Sequence, residues 1–118
     1  MGEQSQLPRV PLAVSWEGEA ARQMLLDGPP QTCGMRSGRM QLGPGEDVGR
    51  HTTGNHEEIL IILAGAGRLE CDGREPLAVR AGQAAYVPPG TFHNVRSTGA
   101  GVLRYVFVVA PAGRGARR

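Results

Sequence analysis

The sequence predicts an all-β protein, a jelly-roll barrel built from short antiparallel strands. Its 118 residues fit one domain. The 18 glycines and 9 prolines do not cluster but interrupt the chain at short intervals, which is typical of strands joined by turns. No long helical segment separates the predicted strands. This excludes parallel βαβ units and leaves an antiparallel sandwich or barrel.

Residues 1–30 are predicted to form an N-terminal arm. The beginning of this segment is polar and interrupted by proline, as in an extended arm or an edge strand. The segment from Trp16 to Leu26 predicts one or two helical turns, because Ser15 suits a helix N-cap and Gly28-Pro29-Pro30 suits a helix end. We therefore expect a short helix before the barrel.

Residues 31–111 are predicted to form the barrel, and residues 112–118 a disordered basic tail. Each predicted strand is a short run of mainly apolar residues that ends at a turn signal. Asp72-Gly73 is a pair that suits a tight hairpin. The predicted strands are residues 35–42, 56–63, 68–71, 76–80, 84–87, 91–96 and 102–109.

The predicted strand 56–63 is apolar on both of its faces. Because side chains alternate along a strand, Glu58, Leu60 and Ile62 share one face, and residues 57, 59, 61 and 63 share the other. A strand whose outer face contacts water carries polar residues on that face. The outer face of this strand is apolar, so another part of the protein or a partner is expected to pack against it. The arm, a second sheet or another subunit would serve, and we expect a homodimer.

The charge balance argues against a nucleic-acid partner. The net charge is +2, but three of the 13 basic residues follow Gly113 in the tail, and phosphate binding needs cations clustered on the folded body. All 13 basic residues are arginine, which excludes a lysine base or a Schiff base. No apolar run approaches the roughly 20 residues that cross a membrane. The N-terminus lacks a basic region followed by an apolar one, so we expect a cytoplasmic protein.

The histidines His51, His56 and His93, together with Glu58, are the candidate functional residues. Histidine and carboxylate side chains at turns and strand ends are typical metal ligands. Neighbouring strands of a small barrel bring residues that are distant in sequence together in its interior. A carboxylate on the inward face, as predicted for Glu58, requires a cation or hydrogen bonds. The alternative for each histidine is an ordinary structural role.

Two segments of the chain resemble the two sequence motifs of the cupin superfamily. The first is GEDVGRHTTGNHEEILIILAG, from Gly45 to Gly65, and the second is GQAAYVPPGTFHNVRS, from Gly82 to Ser97. The resemblance implies a double-stranded β-helix, which is a jelly-roll barrel and agrees with the strand pattern. It also implies that His51 and Glu58 are metal ligands of the first motif, and that His93 is the ligand of the second.

The chain departs from the family pattern at two positions. Thr53 stands where the family has its second histidine, and Ser97 stands where it has asparagine. The two remaining imidazoles and one carboxylate still suit Fe(II) with open coordination positions. Because side chains alternate along a strand, His56 would point to the same face as Glu58, and it is a candidate for the missing imidazole. The alternative is that His56 lies at the barrel rim. This ligand set does not choose among Fe, Mn, Ni, Co and Zn.

A barrel of this size holds one modest ligand, so we expect a small-molecule partner. Tyr86, Phe92 and Tyr105 are candidates to line the pocket, with core packing as the alternative. Among the strand arginines, Arg39 is expected to face solvent, because it alternates with Met40. Arg36 and Arg104 are further candidates, and an inward Arg104 would favour an anionic substrate.

Whether the protein is an enzyme stays open at this point. One hypothesis is a metal-dependent enzyme of the oxygenase or isomerase type. The second is a binding or sensing module without turnover. The third is a metal-independent sugar-nucleotide isomerase, with His56 or His93 as base and Tyr86 or Tyr105 as acid. Fold alone does not choose among them.

Overall fold

The computed structural model describes residues 9–113, and within them it contains only strands and loops. The strands are β1 (Arg22–Asp27), β2 (Arg36–Leu42), β3 (His56–Ala64), β4 (Ala66–Cys71), β5 (Leu77–Arg80), β6 (Ala84–Val87), β7 (His93–Ser97) and β8 (Leu103–Pro111). They form a five-stranded sheet of order β1-β2-β8-β3-β6 and a three-stranded sheet of order β5-β4-β7. Neighbouring strands are antiparallel throughout both sheets. The predicted all-β class is confirmed.

The seven strands predicted from residue 35 onward all occur, as β2 to β8, and their ends differ from the prediction by at most two residues. Asp72-Gly73 lies in the turn between β4 and β5, where Leu69 pairs with Leu77. Residues 114–118 of the predicted tail, and residues 1–8 of the predicted arm, lie outside the described part of the chain.

The helical turns expected between Trp16 and Leu26 do not occur. Residues 22–27 instead form β1, which pairs with β2 from Arg22 opposite Met40 to Asp27 opposite Arg36. A helix of one or two turns has little stability of its own, whereas an edge strand gains hydrogen bonds and packing from the sheet. The Ser15 carbonyl, which would have started the helix, accepts a hydrogen bond from Gln23 Nε2 at 3.1 Å.

The inward face of the five-stranded sheet carries three rows of residues in register. The upper row contains Glu58, Val109, Arg36 and Asp27, the middle row Leu60, Phe107, Gly38 and Met24, and the lower row Ile62, Tyr105, Met40 and Arg22. Side chains of the second sheet, among them Leu69, Val79 and Val95, complete the core with Leu60 and Ile62. These rows place the candidate site at the upper end of the barrel interior.

The alternation predicted for β3 is confirmed. Glu58, Leu60 and Ile62 are buried, whereas Ile59, Ile61 and Leu63 are 38%, 40% and 43% exposed. The apolar outer face of β3 is therefore a real feature of the described chain, and residues 9–21 leave it accessible.

Arg39 does not face solvent as expected. It lies on the sheet face opposite to Met40, but it is only 5% exposed, because residues 17–20 cross over it. Its guanidinium donates to the carbonyl oxygens of Glu17, Gly18 and Ala20 at 3.4 to 3.5 Å. The N-terminal segment thus covers the β2 part of the outer face.

Candidate metal centre

Two of the three candidate histidines lie side by side because their backbones pair. His51 precedes β3 and forms an isolated antiparallel bridge with His93 at the start of β7. Each backbone N–H donates to the carbonyl of the other residue, at 2.9 and 2.8 Å. The ring centroids are 4.3 Å apart. Residues 42 positions apart in sequence are therefore fixed next to each other by main-chain hydrogen bonds.

Glu58 on β3 completes a compact group with these histidines. One ligand atom from each of His51, Glu58 and His93 lies within 4.8 Å of the other two. Within residues 9–113, this is the group of histidine, cysteine and carboxylate side chains whose geometry suits a metal ion. The structure thus brings together the three residues to which the family resemblance assigned metal ligation.

Both histidines in this group are oriented by backbone carbonyls. The Nδ1 atom of His51 lies 2.8 Å from the Gly49 oxygen, and the Nδ1 atom of His93 lies 2.9 Å from the Thr91 oxygen. A carbonyl oxygen only accepts, so each Nδ1 carries the proton and donates it. The Nε2 atoms are left to bind a cation, which is the arrangement usual for histidine ligands of metals.

His93 and Glu58 form a buried pair. Nε2 of His93 lies 2.9 Å from Oε1 of Glu58, and the two side chains are 1% and 6% exposed. With Nδ1 already donating to Thr91, a neutral His93 would point the Nε2 lone pair at a carboxylate oxygen. A proton or a metal ion must therefore lie between this nitrogen and the carboxylate oxygen. The donor set fits a divalent cation.

The pKa of His93 reflects this pairing. Burial disfavours the imidazolium, but the hydrogen bonds to the Glu58 carboxylate and the Thr91 carbonyl outweigh it and raise the pKa of His93 above 6.5. The imidazolium is the form of His93 that the pair favours when no metal ion is present.

The structure does not bring His56 into the group. Its Nδ1 atom lies 3.1 Å from the carbonyl oxygen of Thr53, and the Thr53 hydroxyl donates to the His56 carbonyl at 3.1 Å. These bonds close the bend that leads into β3. Thr53, which takes the place of the family's second histidine, lines the cavity next to the three-residue group.

Asn94 is a positioning residue that the sequence reasoning missed, although it follows His93 directly. Its side chain is 7% exposed and accepts from the Gly49 N–H at 2.9 Å. It donates to Asp47 at 3.1 Å and to Glu70 at 2.9 Å. Asn94 thereby ties the segment that carries His51 to β7, which carries His93.

The Asn94 network continues into ion pairs on the small sheet. Glu70 accepts from Arg68 at 3.0 Å and from Arg96 at 3.3 Å, and Arg96 also pairs with Asp47 at 2.9 Å. Hydrogen bonds from Asn94, Arg68 and Arg96 lower the pKa of Glu70. The carboxylate is therefore ionised at neutral pH, as the network requires.

A cavity of about 690 Å³ adjoins the group of His51, Glu58 and His93. Its lining combines apolar side chains with five charged ones. The lining residues are Ala21, Arg22, Met24, Asp27, Arg36, Met40, Leu42, Asp47, Val48, His51, Thr53, Glu58, Tyr105, Phe107 and Val109. A space of this size and composition holds one small organic molecule.

Of the aromatic candidates, only Tyr105 lines this cavity. Tyr86 is 57% exposed on the outer face, where its hydroxyl donates to Glu57 at 2.8 Å. Phe92 is 41% exposed and lies under the Arg50 guanidinium, which is 4.2 Å from the ring centroid. Phe107, which the sequence reasoning did not single out, takes the place expected for these two rings.

Of the arginine candidates, only Arg36 lines the cavity. Arg104 is exposed and donates to Gln41 at 2.9 Å. Arg22 lines the cavity instead, and it was missed because β1 was predicted to be helical. The alternation of side chains along β8 could have predicted the position of Phe107, because Phe107 shares a strand face with Tyr105 and Val109.

Comparison with known proteins gives a consistent result. Residues 38–109 match the cupin domain family. The chain is 34% identical over 85 residues to Protein SchB of Streptomyces halstedii, a region that covers 70% of this chain and 61% of SchB. The chain therefore spans less than two thirds of the length of SchB.

Solved structures share the fold. A Bacillus halodurans protein, BH2720, is similar with a TM-score of 0.70 and 26% identity, covering 82% of this chain and 74% of its own. An RmlC-like cupin family protein from Methanocaldococcus jannaschii, described as a double-stranded β-helix, has a TM-score of 0.70 and 21% identity, covering 89% of this chain and 94% of its own. The predicted double-stranded β-helix is confirmed. The described residues include no helix with the length and apolar character needed to cross a bilayer.

Proposed function

The chain belongs to the cupin domain family, and we propose that it binds one divalent metal ion through His51, Glu58 and His93 and a small molecule in the adjoining cavity. The observation that carries the proposal is the donor geometry. Three ligand atoms lie within 4.8 Å of one another, and both imidazoles offer Nε2 because a carbonyl holds the Nδ1 proton.

The donor set also limits the chemistry. Two imidazoles and one carboxylate suit Fe, Mn, Ni, Co or Zn, and such an ion supplies open positions that polarise a ligand oxygen or acidify water. Thr53 stands at the place of the family's second histidine and adds no imidazole. The site is therefore open to the cavity on the side of Thr53. Apolar side chains of the lining, such as Met40, Leu42 and Val109, would contact the body of a bound molecule. A small-molecule oxygenase or isomerase is the activity that this arrangement suits.

Elemental analysis of protein purified without a histidine tag or chelator tests the metal site. We expect about one metal ion per chain in the wild type and in His56→Ala, the matched histidine control. We expect none in His93→Ala. A wild type that stays metal-free after refilling with Fe(II), Mn(II) and Zn(II), or a His93→Ala variant that retains the ion, contradicts the assignment.

A metal-independent isomerase is the second candidate, and the His93–Glu58 contact of 2.9 Å favours it. Both ring nitrogens of His93 are engaged, by Thr91 and Glu58, so the base would be the Glu58 carboxylate, which lines the cavity with Tyr105 as acid. To test this candidate, metal-free protein is incubated with a keto-sugar nucleotide in D₂O. Deuterium uptake at the carbon next to the sugar carbonyl is then measured. Uptake that Glu58→Gln abolishes supports this candidate, and no uptake rejects it. If the protein binds metal and ligand but converts no substrate, that result supports the remaining hypothesis, a binding or sensing module.

We also propose that the outer face of β3 forms a homodimer. Ile59, Ile61 and Leu63 form an exposed apolar strip there, beside Tyr86 on β6. The nearest carboxylate, Glu57, already accepts a hydrogen bond from the Tyr86 hydroxyl. A second copy is the fitting partner, because two such strips meet without opposing like charges.

A further inference from the structure

Arg22 and Tyr105 present polar groups on one inward row of the large sheet. Arg22 on β1 and Tyr105 on β8 both pair with Met40 on β2, so the two side chains flank Met40 on the same face. All three line the cavity. Along β8, Tyr105 is two residues from Phe107 and four residues from Val109. Val109 pairs with Glu58 on β3. The two groups are therefore at the other end of the cavity from the metal centre.

Arg22 has a free positive charge within the described chain. No carboxylate of residues 9–113 lies within ion-pair distance of its guanidinium. Its contacts are the Met24 sulfur at 3.6 Å and the Phe107 ring, whose centroid is 5.8 Å away. Apart from the bond to Met24, its N–H groups have no hydrogen-bond partner among the described residues and can donate to an acidic group.

The Tyr105 hydroxyl is the second free donor. The side chain is 3% exposed, yet its hydroxyl has no hydrogen-bond partner among the described residues. A hydroxyl that lines a cavity and has no protein partner can donate to a ligand or to water there. Burial and the Glu58 charge raise the pKa of Tyr105, so the hydroxyl keeps its proton and donates it.

Phe107 provides a flat apolar surface between the two ends. A Cβ added at Gly38 would lie 2.5 Å from Phe107 Cζ, which shows that the ring lies across β2 in the space left by glycine. Met24 and Met40 flank the ring in the neighbouring positions of the sheet. This surface suits the body of a planar molecule.

We propose that the cavity binds an anionic small molecule with a flat apolar body, whose acidic group is held by Arg22 and Tyr105 and whose body lies on Phe107. The inference rests on the proposed function in that the other end of the molecule would face His51, Glu58 and His93. Arg36 and Asp27 lie opposite each other in the upper row, and Asp47 is paired with Arg96, so Arg22 is the cavity cation at the lower end.

Two fluorescent dyes of matched shape test the acidic-group subsite. One is 8-anilino-1-naphthalenesulfonate, and the other is N-phenyl-1-naphthylamine, which has the same rings without the sulfonate. We expect the wild type to bind one sulfonate dye per chain, and Arg22→Gln to weaken that binding about tenfold, the loss of one charge-assisted hydrogen bond. The uncharged dye should lose less than twofold. Tyr105→Phe should weaken only the sulfonate dye, and Arg22→Lys should restore part of the affinity.

Arg104→Gln is the matched control, because Arg104 lies on the opposite face of the same sheet and should change neither dye. Circular dichroism confirms folding, and metal content is measured in every variant. The proposal is overturned if the wild type binds no sulfonate dye, if Arg22→Gln leaves its affinity unchanged, or if both dyes weaken equally. A metal-free wild type with the expected dye pattern would reject the metal proposal alone, whereas metal binding without the dye pattern would reject the acidic-group subsite alone.

Discussion

His93 Nε2 and Glu58 Oε1 lie 2.9 Å apart in the barrel interior, where neither side chain is more than 6% exposed. Strand β7 supplies the imidazole and β3 the carboxylate, so the contact joins the two sheets. The Nδ1–H of the imidazole donates to the Thr91 carbonyl, so the contact between Nε2 and Oε1 needs a proton in the metal-free protein, or a metal ion. We therefore expect stability and the proposed metal binding to depend on the same two residues.

Removing one partner of this pair should destabilise the metal-free protein strongly. His93→Ala leaves the Glu58 carboxylate buried and unpaired, which costs about 3 to 5 kcal/mol in the free energy of unfolding. Glu58→Ala/His93→Ala should be far less destabilised than the sum of its single variants, because the second change removes the orphaned group. Urea denaturation of chelator-treated protein measures the cycle. Additivity within about 0.5 kcal/mol would show that the two side chains do not interact.

The pair also predicts a pH dependence. The pKa of His93 is raised in the folded protein above its usual 6.5, so its contribution to stability is fully present below pH 6.5 and is lost as the pH rises through the folded pKa. The urea midpoint of the metal-free wild type should therefore fall above pH 6.5 relative to His93→Gln. A bound metal ion replaces the proton, so saturation with metal should remove this fall. Parallel curves for wild type and His93→Gln would contradict the raised pKa.

Asn94→Ala should weaken metal binding without removing a ligand. The change releases the Gly49 N–H and Asp47, and with them the segment that orients His51. Loss of such a positioning residue costs about 10- to 100-fold in metal affinity. Competition with a fluorescent chelator measures this. Arg50→Gln, which breaks an exposed ion pair with Asp72, is the control and should bind metal as the wild type does.

Gly38→Ala should destabilise the fold and reshape the cavity, because the added Cβ would lie 2.5 Å from Phe107 Cζ and displace the ring. Overpacking of this kind costs about 1 to 3 kcal/mol. Phe107→Val in the same chain should recover part of the loss. Gly101→Ala is the matched control, since a Cβ there meets nothing within 4 Å, and thermal melts of the variants decide the point. Equal melting temperatures for Gly38→Ala and Gly101→Ala would refute the close packing.

The homodimer prediction concerns the outer face of β3. Ile61→Arg places a charge in the centre of the apolar strip and should convert a dimer into a monomer, because two such charges oppose each other across a twofold interface. Light scattering coupled to size-exclusion chromatography gives the mass. Leu77→Arg, on an exposed apolar residue of β5 in the other sheet, is the control and should leave the mass unchanged. A monomeric wild type would reject the interface.

The sequence predicted the strands from β2 to β8 and the two faces of β3, because the alternation of side chains and the turn residues act locally. It also led to His51, Glu58 and His93 through the spacing of two motifs. The local pattern before residue 28 predicted a helix, and only pairing with β2 made it a strand. Secondary structure in such a segment is decided by long-range contacts, which the local sequence does not contain.

Tertiary structure alone decided which side chains share the cavity. His56 and Glu58 are two residues apart on β3, so alternation alone would place them on the same face. The His56 ring is instead hydrogen-bonded to the Thr53 carbonyl in the bend before β3, and it lies outside the three-residue group. Arg22 and Tyr105 come together only through the register of β1, β2 and β8. Local spacing fixes the direction of a side chain within its own strand. Its neighbours on other strands are fixed by sheet order and register, because those set the distances between residues that are far apart in the chain.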